Sequence, residues 1–169
     1  MSGVKEQALK LVDGLPEEAS WDDVVYQPGT LRVVTFKNGK SWAAAEMKTA
    51  GTPARLKIEP DRAEIRADGR DLSFVTVTVT DQAGLTAPRA DNRLHFDLEG
   101  PGEIVATDNG DPTSFESFQS RDRKAFNSFC LVIVRGKPGQ PGTLHLTAKA
   151  DGLKIGKAVI KTTPGLDQN

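Results

Sequence analysis

The densest group of polar side chains in this sequence is the stretch Asp108-Asn109-Gly110-Asp111-Pro112. Two carboxylates three residues apart, with an amide between them, could bind Ca²⁺ through oxygen ligands. A calcium loop of the EF type needs more ligands and a distal Glu. Asn-Gly favours positive φ, and Asp side chains accept hydrogen bonds from nearby backbone NH groups. The sequence therefore favours a tight turn with positive φ at Asn109 and Gly110 over a metal site.

Three phenylalanines, Phe115, Phe118 and Phe126, lie in a segment without strand alternation directly after this turn. Exposing three large aromatic side chains together would leave an apolar patch in water, which monomeric proteins rarely tolerate. We predict that they pack over the open end of a β-sandwich. Contact with another domain and a ligand-binding loop are the alternatives.

The remaining candidates for chemistry favour structural roles. Cys130 lies in an apolar run, whereas a catalytic thiol needs a base and some exposure, so we predict a buried, inert side chain. His95 and His145 share the polar faces of alternating segments, and a zinc site would need three or four ligands. No catalytic residue, cofactor site or metal site is predicted.

The aromatic side chains of the first 42 residues include Trp21, Tyr26 and Trp42. Rings with one exposed apolar face and a polar tip suit contact with sugars, so these three are the candidates for a carbohydrate platform. Trp42 lies within a predicted strand, where a tryptophan is more often part of a core.

The positions of apolar residues predict the elements that carry these side chains. Apolar spacing indicates a short helix over residues 4–13, and Asn38-Gly39 favours a two-residue hairpin turn between strands 31–36 and 41–47. From residue 54 onward, short alternating segments separated by turns predict an all-β fold, an immunoglobulin-like antiparallel β-sandwich of about seven strands. The seven predicted strands are 54–58, 74–80, 94–98, 103–107, 130–134, 144–148 and 157–161.

A two-stranded hairpin is marginally stable in water, so the predicted hairpin needs cover. The helix, the sandwich or a second copy of the chain could supply it, and a homodimer is one alternative. The side chains that we expect to be buried there are Val33, Phe36, Trp42 and Met47.

Charge and hydropathy exclude several classes of function. The 22 Lys and Arg residues balance 23 Asp and Glu residues, which argues against a nucleic-acid partner. No apolar run approaches the roughly 18 residues that cross a bilayer, so no membrane partner is expected. The first residues lack the apolar region of a signal peptide, which predicts a cytoplasmic chain as given; a parent enzyme could be periplasmic or secreted.

Two stretches resemble a known family. Val25 to Val34 with the Lys37-Asn38-Gly39-Lys40 turn is similar to the end of the sandwich domain that follows the barrel of bacterial family 2 glycoside hydrolases of β-galactosidase type. The last domain of those enzymes is similar to Leu72–Val77, Asp108–Ser114, Phe118-Gln119 and Arg123–Phe126. Residues 4–26 also resemble the opening of small helical antitoxin proteins, which gives a third hypothesis of a toxin–antitoxin component.

The resemblance implies a domain organisation and a function. A helical leader unlike the family occupies residues 1–23, a hairpin from the preceding domain residues 24–51, the sandwich residues 54–163, and a tail residues 164–169. The resemblance implies that a turn of the family lies at Asp108–Pro112. The residues that pack around this turn would be Phe115, Phe118, Gln119 and Phe126. The expected function is a non-catalytic module whose partners are the catalytic and other domains of a parent glycosidase; the alternative is a carbohydrate-binding module.

The resemblance also predicts that the chain does not hydrolyse glycosides. Family members carry both catalytic carboxylates on a (β/α)₈ barrel, and hydrolysis with retention requires both. Incubation with nitrophenyl β-galactoside should release no nitrophenol above the rate in buffer. Turnover that persists through repurification and scales with the amount of this protein would contradict the expectation.

Overall fold

The computed structural model describes residues 29–165, which fall into two compact units divided between Thr49 and Ala50. The first unit is an antiparallel hairpin of β1 (Thr30–Lys37) and β2 (Lys40–Lys48). Asn38 and Gly39 form its turn with φ of 52° and 73°, as the Asn-Gly pair predicts. The helix predicted over residues 4–13 lies outside the described residues.

The second unit is a β-sandwich of nine strands. They are β3 (Arg55–Pro60), β4 (Glu64–Ala67), β5 (Leu72–Thr80), β6 (Arg93–Glu99), β7 (Gly102–Asp108), β8 (Asp122–Lys124), β9 (Phe129–Gly136), β10 (Gly142–Lys149) and β11 (Gly156–Pro164). One sheet has the order β4-β11-β10-β6-β8 and the other the order β3-β5-β9-β7. The predicted all-β sandwich is therefore confirmed.

Two short strands were not expected, and one of them changes the pairing. The sequence predicts about seven strands, whereas β4 and β8 bring the number within residues 50–165 to nine. β4 pairs parallel with β11, so this sheet is mixed and not purely antiparallel. β8 consists of three charged residues that pair with β6, and β4 alternates but has only four residues, so neither gives a strong strand signal.

The core lies between the two sheets and consists of the alternate residues of their central strands. Val75, Val77 and Val79 of β5 are fully buried, as are Leu94 and Phe96 of β6. Ile65, Val132, Val134, Leu144, Leu146, Ala148 and Ile160 are also fully buried. Regular alternation thus assigns one face of each strand to the core.

Cys130 belongs to this core, as the sequence predicts. Its side chain is buried, and its Sγ lies 3.7 Å from the carbonyl oxygen of Lys124. Burial raises the pKa of the thiol to about 12. At neutral pH the group therefore stays protonated, and a protonated thiol is a poor nucleophile.

One edge of the sandwich is closed by a buried arginine. β7 and β8 are edge strands of the two sheets, and residues 109–121 connect them. The side chain of Arg123, on β8, is 1% exposed and enters the sandwich beneath this connection. Arg123 Nη2 donates to the carbonyl oxygens of Thr107 and Ser117, both at 2.7 Å, and Nη1 donates to that of Glu116 at 3.2 Å.

The backbone of the connection completes the closure. The amide of Thr107 donates to the carbonyl of Phe118 at 2.7 Å, and the Thr107 hydroxyl donates to the carbonyl of Ser120 at 2.8 Å. The amide of Phe96 donates to the carbonyl of Arg121 at 2.9 Å. Segment 116–121 therefore supplies the acceptors that the edges of β7 and β6 need.

Replacing Arg123 should destabilise the sandwich strongly. Arg123→Met removes the donors to three backbone carbonyls and leaves them without charged partners, so we expect a loss of about 3 kcal/mol or more in the free energy of unfolding. Arg123→Lys keeps the charge but not the planar fork, and should fall between Met and the native residue. Urea denaturation followed by circular dichroism measures the change.

Arg135→Met is the matched control. Arg135 pairs with Glu103 on the exposed surface at 2.6 Å, so its loss should cost less than about 1 kcal/mol. An Arg123→Met variant as stable as this control would contradict the role assigned to the buried guanidinium.

Candidate interaction surface

The outer face of the four-stranded sheet is apolar along its centre. Cys130, Val132 and Val134 of β9 point into the core, so Phe129, Leu131 and Ile133 point outward. Phe74 of β5 lies directly opposite Ile133. Phe74 and Phe129 are 41% and 45% exposed. We call Phe74, Phe129, Leu131 and Ile133 the sheet-face patch.

Phe126 extends this patch at one end. It pairs with Phe129 across a tight turn, with each amide donating to the other residue's carbonyl at 3.0 Å. Asn127 and Ser128 form the turn with positive φ of 48° and 80°. Directly paired residues of antiparallel strands point to the same face, so the two phenylalanines lie side by side. The sequence expectation that Phe126 packs over the end of the sandwich is wrong, because its side chain is 38% exposed on this face.

Charged pairs border the patch. Lys57 and Glu59 of β3 form an ion pair at 2.7 Å, and Arg135 of β9 pairs with Glu103 of β7 at 2.6 Å. An apolar centre within a polar rim is the usual anatomy of a protein–protein interface.

The outer face of the five-stranded sheet has the opposite character. His95 of β6 lies between two carboxylates, with its Nδ1 2.9 Å from Asp122 and its Nε2 3.2 Å from Asp97. Asp97 also accepts from the Lys149 ammonium at 2.6 Å. A cleft on this face is lined mainly by charged side chains, among them Glu99, Arg121 and Lys157. Val159 and Ile155 are its exposed apolar side chains, so this face is mainly polar.

The polar cluster of residues 108–113 is a chain of capped turns. Asp108 Oδ1 accepts from the amide of Asn109 at 2.7 Å, Asn109 Oδ1 from the amide of Asp111 at 3.0 Å, and Asp111 Oδ1 from the amide of Thr113 at 2.9 Å. The hydroxyl and amide of Thr113 lower the pKa of Asp111. Within residues 29–165 no group of three or more His, Cys, Asp or Glu side chains is arranged to hold a metal ion.

One detail of the predicted turn is wrong. Gly110 has the expected positive φ of 72°, but Asn109 does not adopt positive φ. Its side chain is engaged instead, since Asn109 Nδ2 donates to the carbonyl of Lys124 at 2.9 Å. That bond ties the turn, which ends at Pro112, to β8.

Phe115 and Phe118 do not pack over the sandwich either. Phe115 is fully exposed at 100%, and Phe118 is 61% exposed with the Arg123 guanidinium carbon 5.8 Å from its ring centroid. The predicted packing is wrong here because Arg123 fills the space beneath the loop that the phenylalanines were expected to occupy. Gln119 follows Phe118 and is also exposed.

The candidate carbohydrate platform is represented by Trp42 alone, since Trp21 and Tyr26 lie outside the described residues. Trp42 is 71% exposed on β2, and the Lys37 ammonium lies 5.5 Å from its ring centroid. The burial of Trp42 beneath a covering helix, the sandwich or a second copy stays a prediction, because no such cover lies among the described contacts of the hairpin. The side chains of Val33, Phe36 and Met47 lie outside the described part of the chain.

Sequence reasoning missed the sheet-face patch and Arg123. A signal for the patch was present, because β9 is apolar at consecutive positions. An antiparallel strand with one face in water should alternate, so an uninterrupted apolar run indicates that both faces are covered. No comparable signal marks Arg123, which resembles any surface arginine in a charged segment.

Comparison with known proteins identifies relatives. A family model described as glycoside hydrolase family 2 C-terminal domain 5 matches residues 56–159, and a domain of unknown function (DUF4982) matches residues 4–43. The β-galactosidase BoGH2A of Bacteroides ovatus is 43% identical over 157 residues, which cover 93% of this chain. Similarity to relatives therefore extends into residues 1–23, which the sequence analysis assigned to a leader unlike the family.

Solved structures similar to this chain also come from glycoside hydrolase family 2. A glycosyl hydrolase family 2 member from Bacteroides cellulosilyticus superposes with a TM-score of 0.76 at 31% identity over 83% of this chain. A β-glucuronidase from glycoside hydrolase family 2 gives a TM-score of 0.71 at 27% identity over 86% of it. The chain spans only 18% of the B. ovatus protein and 18% and 15% of these two structures.

The histidine on the polar face should make stability depend on pH. Asp122, the larger cause, and Asp97 raise the pKa of His95, so the fold binds its proton more tightly than the unfolded chain does. This contribution is complete below pH about 6.5 and is lost as the pH rises through the raised pKa of the folded state. Because the side chains are nearly half exposed, it should be under about 1 kcal/mol.

Urea denaturation of the native chain and of His95→Gln between pH 5.5 and 8.5 measures this contribution. The native chain should be the more stable at low pH, and the difference should shrink as the pH rises. In the Asp122→Asn background, the stability difference between His95 and His95→Gln at low pH should be smaller, because the larger cause of the raised pKa is gone. A difference between the native chain and His95→Gln that is constant across this range would contradict the coupling.

Proposed function

This chain belongs to the glycoside hydrolase family 2 C-terminal domain 5 family, and we propose that it is a non-catalytic module that packs against the rest of its enzyme through the sheet-face patch. Membership makes it an accessory domain of a family 2 glycoside hydrolase. The observation that supports this role is the apolar outer face of β9, formed by Phe129, Leu131 and Ile133 and extended by Phe74 of β5.

The hydrophobic effect favours covering this face. Each Å² of apolar surface removed from water contributes about 25 cal/mol, and large aromatic side chains dominate the energetics of interfaces. The polar five-stranded face offers no such gain, since desolvating His95, Asp97 and Lys149 would oppose association. The two faces therefore differ in what they can contact, and only the four-stranded one suits a dry protein interface.

The occupant that we propose is another domain of the same polypeptide. The three relatives described above are five or more times longer than the part of them that this chain matches, so each carries a large body of protein beside this domain. A domain tethered within one chain meets its neighbour at high effective concentration, which favours an intramolecular contact over a homodimer.

We propose that the parent enzyme hydrolyses β-glycosides and that this module does not select the sugar. The similar proteins are named as a β-galactosidase and a β-glucuronidase, although they share this C-terminal domain. The same module therefore accompanies different specificities. Catalysis requires two carboxylates on either side of the glycosidic bond, which we assign to the barrel of the parent.

Substitutions in the patch test this role by contrasting two contexts. Phe74→Thr and Phe129→Thr keep good strand residues on an exposed face, so each should change the stability of the isolated chain by less than about 1 kcal/mol. In the full-length enzyme each should cost about 2–4 kcal/mol, because it removes a buried aromatic side chain from an interface. Urea denaturation of both proteins gives the two values.

Val159→Thr is the matched control, because Val159 lies on the outer face of the five-stranded sheet and is 51% exposed. It should be nearly neutral in both contexts. Equal effects of Phe74→Thr in the isolated chain and in the full-length enzyme would show that the patch contacts nothing there.

A further inference from the structure

The connection between β7 and β8, residues 109–121, displays two aromatic rings in water. Phe115 is 100% exposed and Phe118 is 61% exposed. An aromatic side chain with no protein contact gains nothing for the stability of the fold, because it buries no apolar surface. Phe115 is such a ring, and Phe118 keeps most of its surface in water although it contacts Arg123. The loop therefore offers both rings to a ligand or a partner.

Hydrogen bonds and an ion pair fix the backbone of the loop that carries these rings. Arg123 donates to the carbonyl oxygens of Glu116 and Ser117, the two residues that follow Phe115. Arg93 binds the Glu116 carboxylate and lowers its pKa, and the Asp111 carboxylate caps the turn before Phe115. A surface fixed in this way loses little conformational entropy when it binds a ligand.

Phe118 is itself oriented from below. The guanidinium of Arg123, 5.8 Å from the ring centroid, lies against this ring as a cation on an aromatic side chain. The remaining exposed surface of Phe118 is free for contact with another molecule. One buried arginine thus positions both the ring of Phe118 and the backbone next to Phe115.

The surroundings of the rings are polar. Between residues 109 and 121 the only apolar side chain besides the two phenylalanines is that of Pro112. The others are hydroxyl, amide or charged groups, which donate and accept hydrogen bonds: Asn109, Asp111, Thr113, Ser114, Glu116, Ser117, Gln119, Ser120 and Arg121. The sheet-face patch, by contrast, joins its phenylalanines to Leu131 and Ile133, which is the composition of a protein interface.

Aromatic rings surrounded by hydrogen-bonding groups match the chemistry of a sugar. A pyranose ring has C–H groups that pack on an aromatic face, and its rim of hydroxyl groups needs donors and acceptors nearby. We propose that the 109–121 loop is a carbohydrate-contact site at which Phe115 and Phe118 bind a neutral hexopyranoside. The proposal rests on the proposed function, since it places this site on a module of a glycosidase. Its aromatic residues lie on the sandwich and differ from the candidates Trp21, Tyr26 and Trp42 of the sequence analysis.

Titration of the chain with methyl β-galactoside, lactose and cellobiose tests the site. Aromatic ring signals of Phe115 and Phe118 in NMR spectra should shift in a saturable way with at least one of the three probes. Phe115→Ala should weaken that binding by about five- to tenfold, the loss of one ring contact, and Phe115→Trp should retain it. Because Phe115 is fully exposed, neither substitution should change the melting temperature.

Phe74→Thr is the control, since it alters the sheet-face patch and should leave sugar binding unchanged. No saturable shift with any probe, or the same affinity in Phe115→Ala as in the native chain, would overturn the proposal. A loss of stability of the full-length enzyme in Phe115→Ala would also overturn it, because it would identify the loop as a protein contact. Failure of the proposed packing role appears separately, in the Phe74→Thr stability comparison.

Discussion

The hydrogen bonds of the buried Arg123 guanidinium hold the edge of the sandwich and the 109–121 loop in place. A sandwich of two sheets has open edges, and at one of them the chain must cross from β7 to β8 through thirteen residues without regular structure. Arg123 enters that edge and donates to backbone carbonyls of β7 and of the crossing segment. Burial of a charge is tolerated only with this density of acceptors, so the carbonyls and the guanidinium fix one another.

Several features follow from that arrangement. β8 needs only three residues, because the side chain of Arg123 anchors it from within the sandwich. Glu116 lies where Arg93, Arg123 and the amide of Lys124 can reach its carboxylate. The space beneath the loop is filled, and Phe115 is consequently held in solvent. The same anchoring leaves the four-stranded face free of the loop, so the domain presents an apolar face and an aromatic loop as separate surfaces.

Much of this fold could be read from the sequence, and the exceptions have physical reasons. Strands such as β5 alternate valine with threonine and are bounded by turns, so their inward faces were predictable; the Asn38-Gly39 turn was too. β8 has no such signal, since it is a strand only because β6 pairs with it. The outward direction of Phe115 depends on where Arg123 places its side chain, a tertiary contact that no local pattern encodes. The patch could have been inferred from the continuous apolar run of β9.

Hydroxyl-radical footprinting of the isolated chain and of the full-length enzyme would show whether this domain packs through its four-stranded sheet, because the oxidation rate of a phenylalanine ring reports its exposure. Phe74 and Phe129 should react readily in the isolated chain and be strongly protected in the full-length enzyme, while Phe115 should react in both. Equal oxidation of Phe74 and Phe129 in the two proteins would contradict the packing of this domain through its four-stranded sheet.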